Sequence, residues 1–239
     1  MKDIIYILYI HGMGGGGDSR IPSILKEHIN SHPDAPAAHI EVVVRTYSFD
    51  PEIAVAQIDD WVRELRPALI VGESLGALQA IRIKGLPHIL VSPSLNAPLY
   101  LGYLAFLALV PGMTALLDFI YRPKPGDRQP LHFSFSVLRK YRLHRKLALS
   151  NSTRSGSGDY FFAFFGTRDH YRRSGIVSVR TWRKYFGGMD EKMPSYQMYD
   201  GTHFMEEEFV RTLLIDRIFS VLSRHSRPDR ESKSDQDRP

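Results

Sequence analysis

A serine set between two glycines is the first place where this sequence could do covalent chemistry. Gly72-Glu73-Ser74-Leu75-Gly76, followed by Ala77, has the pattern of a nucleophile elbow. In such a turn the chain passes sharply from strand to helix and lifts the serine hydroxyl above the sheet. The residues two before, two after and three after must therefore be small. Here they are Gly72, Gly76 and Ala77. A serine hydroxyl is a weak nucleophile until a neighbouring base takes its proton, and that base needs a carboxylate to orient it. His203, in Asp200-Gly201-Thr202-His203, is the candidate base. Asp169, in Gly166-Thr167-Arg168-Asp169, is the candidate acid, with Asp200 as the alternative. Taken singly, a loop histidine is more often a surface residue, and an aspartate after a strand is often a turn or cap residue. The chain order Ser74, Asp169, His203 is what joins the three.

Attack on an acyl carbonyl also needs two N–H groups aimed at the developing oxyanion. The Leu75 amide, directly after the nucleophile, is one candidate. Met13 supplies the other, from the loop His11-Gly12-Met13-Gly14-Gly15-Gly16-Gly17, whose glycines let the main chain approach a substrate closely and whose His11 is expected to shape it. The same run, read as Gly12-x-Gly14-x-x-Gly17, also matches a dinucleotide-binding fingerprint. That fingerprint requires an acid at the end of the second strand, where this chain has none.

Positioning these residues requires strands that end where they begin. Apolar β-type runs occur at 4–10, 41–47, 68–72, 88–92, 160–165 and 196–199. Helical patterns fall between them at 21–31, 52–65, 75–84, 176–186 and 206–222. Near-continuous apolar strands alternating with amphipathic helices predict an α/β fold, a mostly parallel sheet of about six strands covered on both faces. The elbow then lies between the third strand and its helix, and the candidate acid and base follow the fifth and sixth strands. Phe161, Phe162, Phe164 and Phe165 read as strand core, and His28, His32 and His39 as surface residues.

Residues 95–158 interrupt the alternation and are expected to form a helical lid or cap. In 97–117 the only polar side chain is Thr114, and Pro98, Gly102, Pro111 and Gly112 break the run, so two short helices are expected in place of a membrane span. Arg139, Lys140, Arg142, Arg145 and Lys146 then cluster within eight positions. The insert carries nine Lys or Arg against two acids, a net +7 in a chain of net +5. This composition admits a peripheral membrane or anionic-ligand contact through 95–158. Residues 151–158 read as a flexible linker and 224–239 as a disordered tail, which leaves 1–94 and 159–223 as the core.

The 239 residues include no cysteine, which excludes a thiol nucleophile and thiolate metal sites. It also fits a reducing, cytoplasmic setting. The run 4–10 reads as a first core strand, since it leads into His11-Gly12 and not into a small-residue cleavage site.

With these motifs in this order the chain resembles the α/β-hydrolase superfamily. It looks most like the small bacterial serine esterases that open with a strand and an His-Gly loop. The resemblance covers 4–93 and 160–222 and leaves the insert uncovered. It implies Ser74 as nucleophile, Asp169 as acid, His203 as base, Met13 and Leu75 as oxyanion donors, and His11, Gly12, Gly72 and Gly76 as supporting residues. The expected activity is hydrolysis of a small-molecule acyl ester or thioester, with no cofactor, no metal and no nucleic-acid partner. A catalytically silent binding protein of the same fold and a membrane-associated lipase-like protein are the alternatives.

Overall fold

The computed structural model describes residues 4–152, 160–187 and 195–225. The expected linker and tail therefore lie almost wholly outside the described residues. Six strands form one parallel sheet: β1 (Ile4–Ile10), β2 (His39–Val44), β3 (Leu69–Glu73), β4 (Pro87–Val91), β5 (Tyr160–Gly166) and β6 (Tyr196–Tyr199). Their spatial order is β2-β1-β3-β4-β5-β6. The sixfold parallel sheet matches the expected fold class.

The strand sequences explain why both faces are covered. Ile7, Tyr9, Val71, Val91, Phe162 and Phe164 pack on one face, beneath α1 (Arg20–His28) and the C-terminal helix. Leu8, Ile10, Ile70, Leu90, Ala163 and Phe165 pack on the other, beneath α2 (Pro51–Leu65) and α3 (Gly76–Ala80). A strand buried on both sides has no polar alternation to show, so β5 reads as an unbroken apolar run, aromatic except at Ala163 and Gly166. Burying each Phe stabilises the fold by roughly 1.5–3 kcal/mol.

The chain makes β1, adds β2 on one side, then crosses to add β3 on the other side of β1. The loops after β1 and β3 therefore diverge, and they leave a crevice at the carboxyl ends of these strands. Open α/β sheets place their ligands at such a switch point. The His11 loop and the elbow flank it.

Several boundaries differ from the sequence reading. The second strand runs 39–44 and not 41–47, because Thr46 and Tyr47 are used elsewhere. The Thr46 hydroxyl accepts from the Gly17 N–H and reaches the Asp127 carboxylate. The Tyr47 hydroxyl donates to the His11 carbonyl (2.6 Å), and its ring stacks on His11 at 4.3 Å. The helix expected over 176–186 starts later, and a separate unexpected turn precedes it. The short α7 (Tyr171–Ser174) ends at Gly175 (φ 77°), and α8 (Val179–Phe186) restarts with Ser178 capping the Thr181 N–H. The last helical segment begins with α9 (Glu207–Phe209), passes through a π turn and ends as α10 (Ile215–His225).

The segment 95–152 is also not uniform. Two short helices form as expected, α4 (Ala97–Leu107) and α5 (Met113–Ile120). The basic stretch, however, lies on α6 (Phe135–Ser152), which packs on α2, α3 and α4 and leads back toward β5. Its Leu138, Tyr141, Ala148 and Leu149 are buried in the same core as Leu8 and Ile70. Two of the five clustered cations hold it there. Lys140 pairs with Asp50 and Glu52 at the start of α2 (2.7 Å each), and Arg145 donates to the Leu95 carbonyl and Asn96 Oδ1. The five therefore do not share one face toward a ligand; Arg139, Arg142 and Lys146 are the exposed ones. Among the described residues no helix is long and apolar enough to cross a membrane.

Two buried histidines set an acid limit on stability. Burial pulls the imidazoles of His144 on α6 and His11 down to about 4, with Arg82 beside His144 acting in the same direction. The Nε2 atoms of both lack a partner among the described residues. The unfolded chain takes up these protons near pH 6.5 and the folded chain only near 4. Stability is therefore full above the higher value and is lost as pH falls through this window, by up to about 1.4 kcal/mol per pH unit for each histidine. Buried Glu73 opposes the trend, since its carboxyl is held above the usual range and favours the fold at lower pH. We expect urea denaturation to give a lower midpoint at pH 5 than at pH 7, with His144→Phe reducing the difference. Equal pH dependence in the variant and the parent would contradict this origin.

Candidate active site

The elbow is built as its small residues require. Ser74 has φ 50°, a left-handed conformation that costs a non-glycine residue about 1–3 kcal/mol and persists only where the surroundings enforce it. Here β4 does so. The Ser74 N–H donates to the Val91 carbonyl (2.9 Å), and the Ser74 carbonyl accepts from the Ser94 N–H (3.0 Å). A Cβ at Gly72 would stand 2.8 Å from the Ala80 Cβ, and one at Gly12 2.9 Å from the Ser74 Cβ. At Gly76 it would overlap the carbonyl oxygens of Ile10 and His11. Backbone cannot yield as a side-chain tip can. We expect Gly76→Ala to destabilise the fold by about 3 kcal/mol or more, at or above the usual overpacking cost. A thermal midpoint within a degree or two of the parent would refute this packing.

Three loops bring the candidate residues together. His203 Nε2 lies 2.9 Å from Ser74 Oγ, and His203 Nδ1 lies 2.8 Å from Asp169 Oδ2. Ser74 follows β3, Asp169 follows β5 and His203 follows β6, so each sits at a strand's carboxyl end. Asp169 and His203 are buried, whereas Ser74 is partly open to solvent. The other Asp169 oxygen, Oδ1, accepts the Tyr171 N–H (2.8 Å), which fixes the carboxylate. The Tyr171 ring packs against the imidazole, centroids 4.7 Å apart. Asp200, the alternative acid, turns away. It is exposed, pairs with Arg168 and accepts from the Thr167 hydroxyl (3.1 Å).

The glycine loop stands across the crevice from the histidine. Met13 and Leu75 both line the cavity that contains Ser74. Neither main-chain N–H has an acceptor among the described residues. His11 is fully buried, its Nδ1 is 2.7 Å from the Gly12 carbonyl, and its ring lies on Tyr47, so it shapes the loop from behind. Gln129 holds the loop from the other side. It accepts from the Gly14 N–H (3.1 Å), its own N–H donates to the Gly15 carbonyl, and its amide donates to the Tyr47 carbonyl.

The cavity has a volume of about 1140 Å³. Its floor holds Ser74 and His203. Its walls are mostly apolar, with Leu101, Leu104, Leu131, Phe133 and Ile176 among them, and Tyr103, Tyr121, Arg122 and Lys124 line it as well. An apolar cleft with a few convergent polar groups is the usual form of a small-molecule site.

Two residues here escaped the sequence reading. Ser94 places its hydroxyl 3.1 Å from Ser74 Oγ. Glu73, beside Ser74, is buried and accepts from the Tyr9 hydroxyl (2.8 Å). Burial holds its carboxyl above the usual range, while the Tyr9 hydrogen bond and the His203 side chain pull the other way. The sequence carries a hint of this pair, since both are polar residues within otherwise apolar strands. Among the described residues, no group of His, Asp and Glu could hold a metal ion.

No family model and no curated protein sequence matches the chain. Solved structures do. A monoacylglycerol lipase from Paleococcus ferrophilus superposes with a TM-score of 0.59 at 19% identity, over 94% of this chain and 97% of that one. The α/β hydrolase GrgF from Penicillium sp. sh18 gives 0.55 at 13% identity, over 94% and 91%. An esterase domain of a Rhodothermus marinus protein gives 0.54 at 12%, over 93% and 88%. The strand order and these near full-length superpositions establish that the chain has the α/β-hydrolase fold.

Proposed function

We propose that this protein is a serine hydrolase that cleaves a carboxylic ester or thioester through an acyl-enzyme on Ser74. The observation that carries the reading is the continuous relay from Ser74 Oγ through His203 to Asp169, at 2.9 and 2.8 Å, opening onto an apolar cavity. The names of the similar structures, a lipase and an esterase domain among them, support ester hydrolysis as the general class.

In this reading Ser74 Oγ attacks the acyl carbon while its proton passes to His203 Nε2. Asp169 accepts from His203 Nδ1, fixes the tautomer and stabilises the imidazolium that forms. The Leu75 and Met13 amides donate to the oxyanion, one from the elbow and the other from a loop already ordered by Gln129 and His11, so little reorganisation remains at the moment of reaction. The tetrahedral intermediate collapses as the bond to the leaving oxygen or sulfur breaks and His203 returns its proton to that atom. Water then attacks the acyl-enzyme with His203 as base. The carboxylic acid leaves and Ser74 regains its proton.

The volume and the apolar walls favour an acyl group of medium or long chain over acetyl. The test is a series of p-nitrophenyl esters and acyl thioesters of increasing chain length, assayed for kcat/KM. The reading expects turnover that rises with chain length before it plateaus. No turnover of any ester or thioester in the series would count against it.

A further inference from the structure

One face of the molecule is apolar, rimmed by cations and uncovered. Helix α4 is apolar all round, yet it buries only the side that carries Leu101 and Ala105. The other side, the link after it and α5 leave Tyr103 (72% exposed), Phe106 (64%), Leu109 (60%), Phe119 (75%) and Ile120 (59%) in the open. A helix apolar on every side is normally buried on every side. Large apolar side chains left exposed on successive turns in this way mark an interaction surface.

The exposed charges next to α5, up to Lys124, and those on α6 are cations. Arg122 and Lys124 follow α5, and Arg142 runs along α4, where it lies against Gly102. Arg139 and Lys146 lie on the same helix as Arg142. All five are exposed, and none pairs with an acid among the described residues. The one acid within 97–124, Asp118, is already used: its oxygens accept from the Phe133 N–H (2.7 Å) and contact His132 Nδ1 (2.8 Å).

From this surface we infer that α4 and α5 dock in the plane of an anionic lipid bilayer, their exposed aromatic and aliphatic side chains entering the headgroup boundary and the cationic rim meeting anionic headgroups. At 11 and 8 residues the helices are too short to cross a hydrocarbon core, which needs about 20. They suit interfacial seating, where apolar burial and attraction to anionic headgroups act together. A second copy of the chain fits less well, because a twofold interface would bring two cationic rims against each other. The patch also borders the catalytic cavity, which Tyr103, Tyr121, Arg122 and Lys124 help to line. Resting on the hydrolase reading, the docked orientation lets an acyl chain pass from the bilayer to Ser74 without crossing water.

The test is flotation of the full chain with vesicles of phosphatidylcholine, with and without phosphatidylserine. Hydrolysis of a soluble short-chain ester is measured alongside. The protein should float with the anionic vesicles, float weakly with the neutral ones, and detach as salt is raised. The combined Phe106→Ser, Leu109→Ser, Phe119→Ser variant should lose flotation while retaining the parent's rate on the soluble ester, since none of the three lines the cavity. Arg142→Gln with Lys146→Gln should weaken binding about fivefold for each cation removed. Equal flotation of the parent and the triple serine variant would overturn the inference, as would no flotation with either vesicle. So would a dimer by light scattering that the triple variant converts to monomer. Flotation without ester hydrolysis would instead count against the hydrolase reading and leave the docking surface standing.

Discussion

Ser74→Ala should lower kcat on the best ester or thioester by about 10⁴- to 10⁶-fold, the scale seen when one member of a cooperating triad is removed. The loss follows from geometry. Among the described residues, only the Ser74 hydroxyl combines a partly open position in the cavity with a histidine nitrogen 2.9 Å away. Ser94, whose hydroxyl is 3.1 Å from Ser74 Oγ, is buried and hydrogen-bonds no histidine among the described residues, so it should not substitute. Folding should be spared, because alanine removes one exposed oxygen and relieves little of the backbone strain that β4 enforces at this turn. The check is kcat/KM together with an unchanged thermal midpoint. A drop of less than tenfold would move the nucleophile elsewhere.

The second large effect is expected at the acid. Asp169→Asn should cost about 10⁴-fold in kcat, since an amide at this position presents an N–H where His203 needs an acceptor and favours the wrong imidazole tautomer. Asp200→Asn should change kcat by no more than a few fold, because Asp200 is exposed and engaged with Arg168 and Thr167. The two variants are best compared across pH, since a residue that orients the base alters the pH dependence of kcat/KM as well as its height. Equal losses would place both carboxylates in the machinery. A larger loss at Asp200 would reverse the assignment.

The parts of the site legible in the sequence are those whose chemistry is written locally. The elbow announces itself because steric crowding at Gly72, Gly76 and Ala77 leaves few residues permissible there. Asp169 and His203 could be found because parallel strands deliver their loops to one end of the sheet, so chain order alone carries spatial meaning. Chain order favours Asp169 but leaves Asp200 as an alternative, since which carboxylate turns inward is decided by tertiary contacts. The roles of Ser94 and Glu73 are hidden for a similar reason, although Glu73 stands out as an acid in an apolar strand. Their partners, Ser74 and Tyr9, are 20 and 64 residues away, and such contacts leave no spacing pattern. The basic run on α6 looks uniform in sequence for a different reason. Its exposed Arg139, Arg142 and Lys146 and its structural Lys140 and Arg145 lie so close in sequence that they read as one basic face. Tertiary contacts divide them, with Asp50, Glu52 and Leu95 claiming two of the five. The end of β2 was missed because Tyr47 has strand propensity but leaves the sheet to support His11.

The central claim is that Ser74 is the activated nucleophile of a serine hydrolase, and covalent labelling tests it most directly. The full-length protein is treated with a fluorophosphonate, digested, and the modified peptide sequenced by mass spectrometry. The account predicts one adduct per chain, on the peptide containing Ser74, and no adduct in Ser74→Ala. It also predicts labelling of His203→Ala slowed by several orders of magnitude. An adduct on another residue, or labelling that persists in Ser74→Ala, would contradict it.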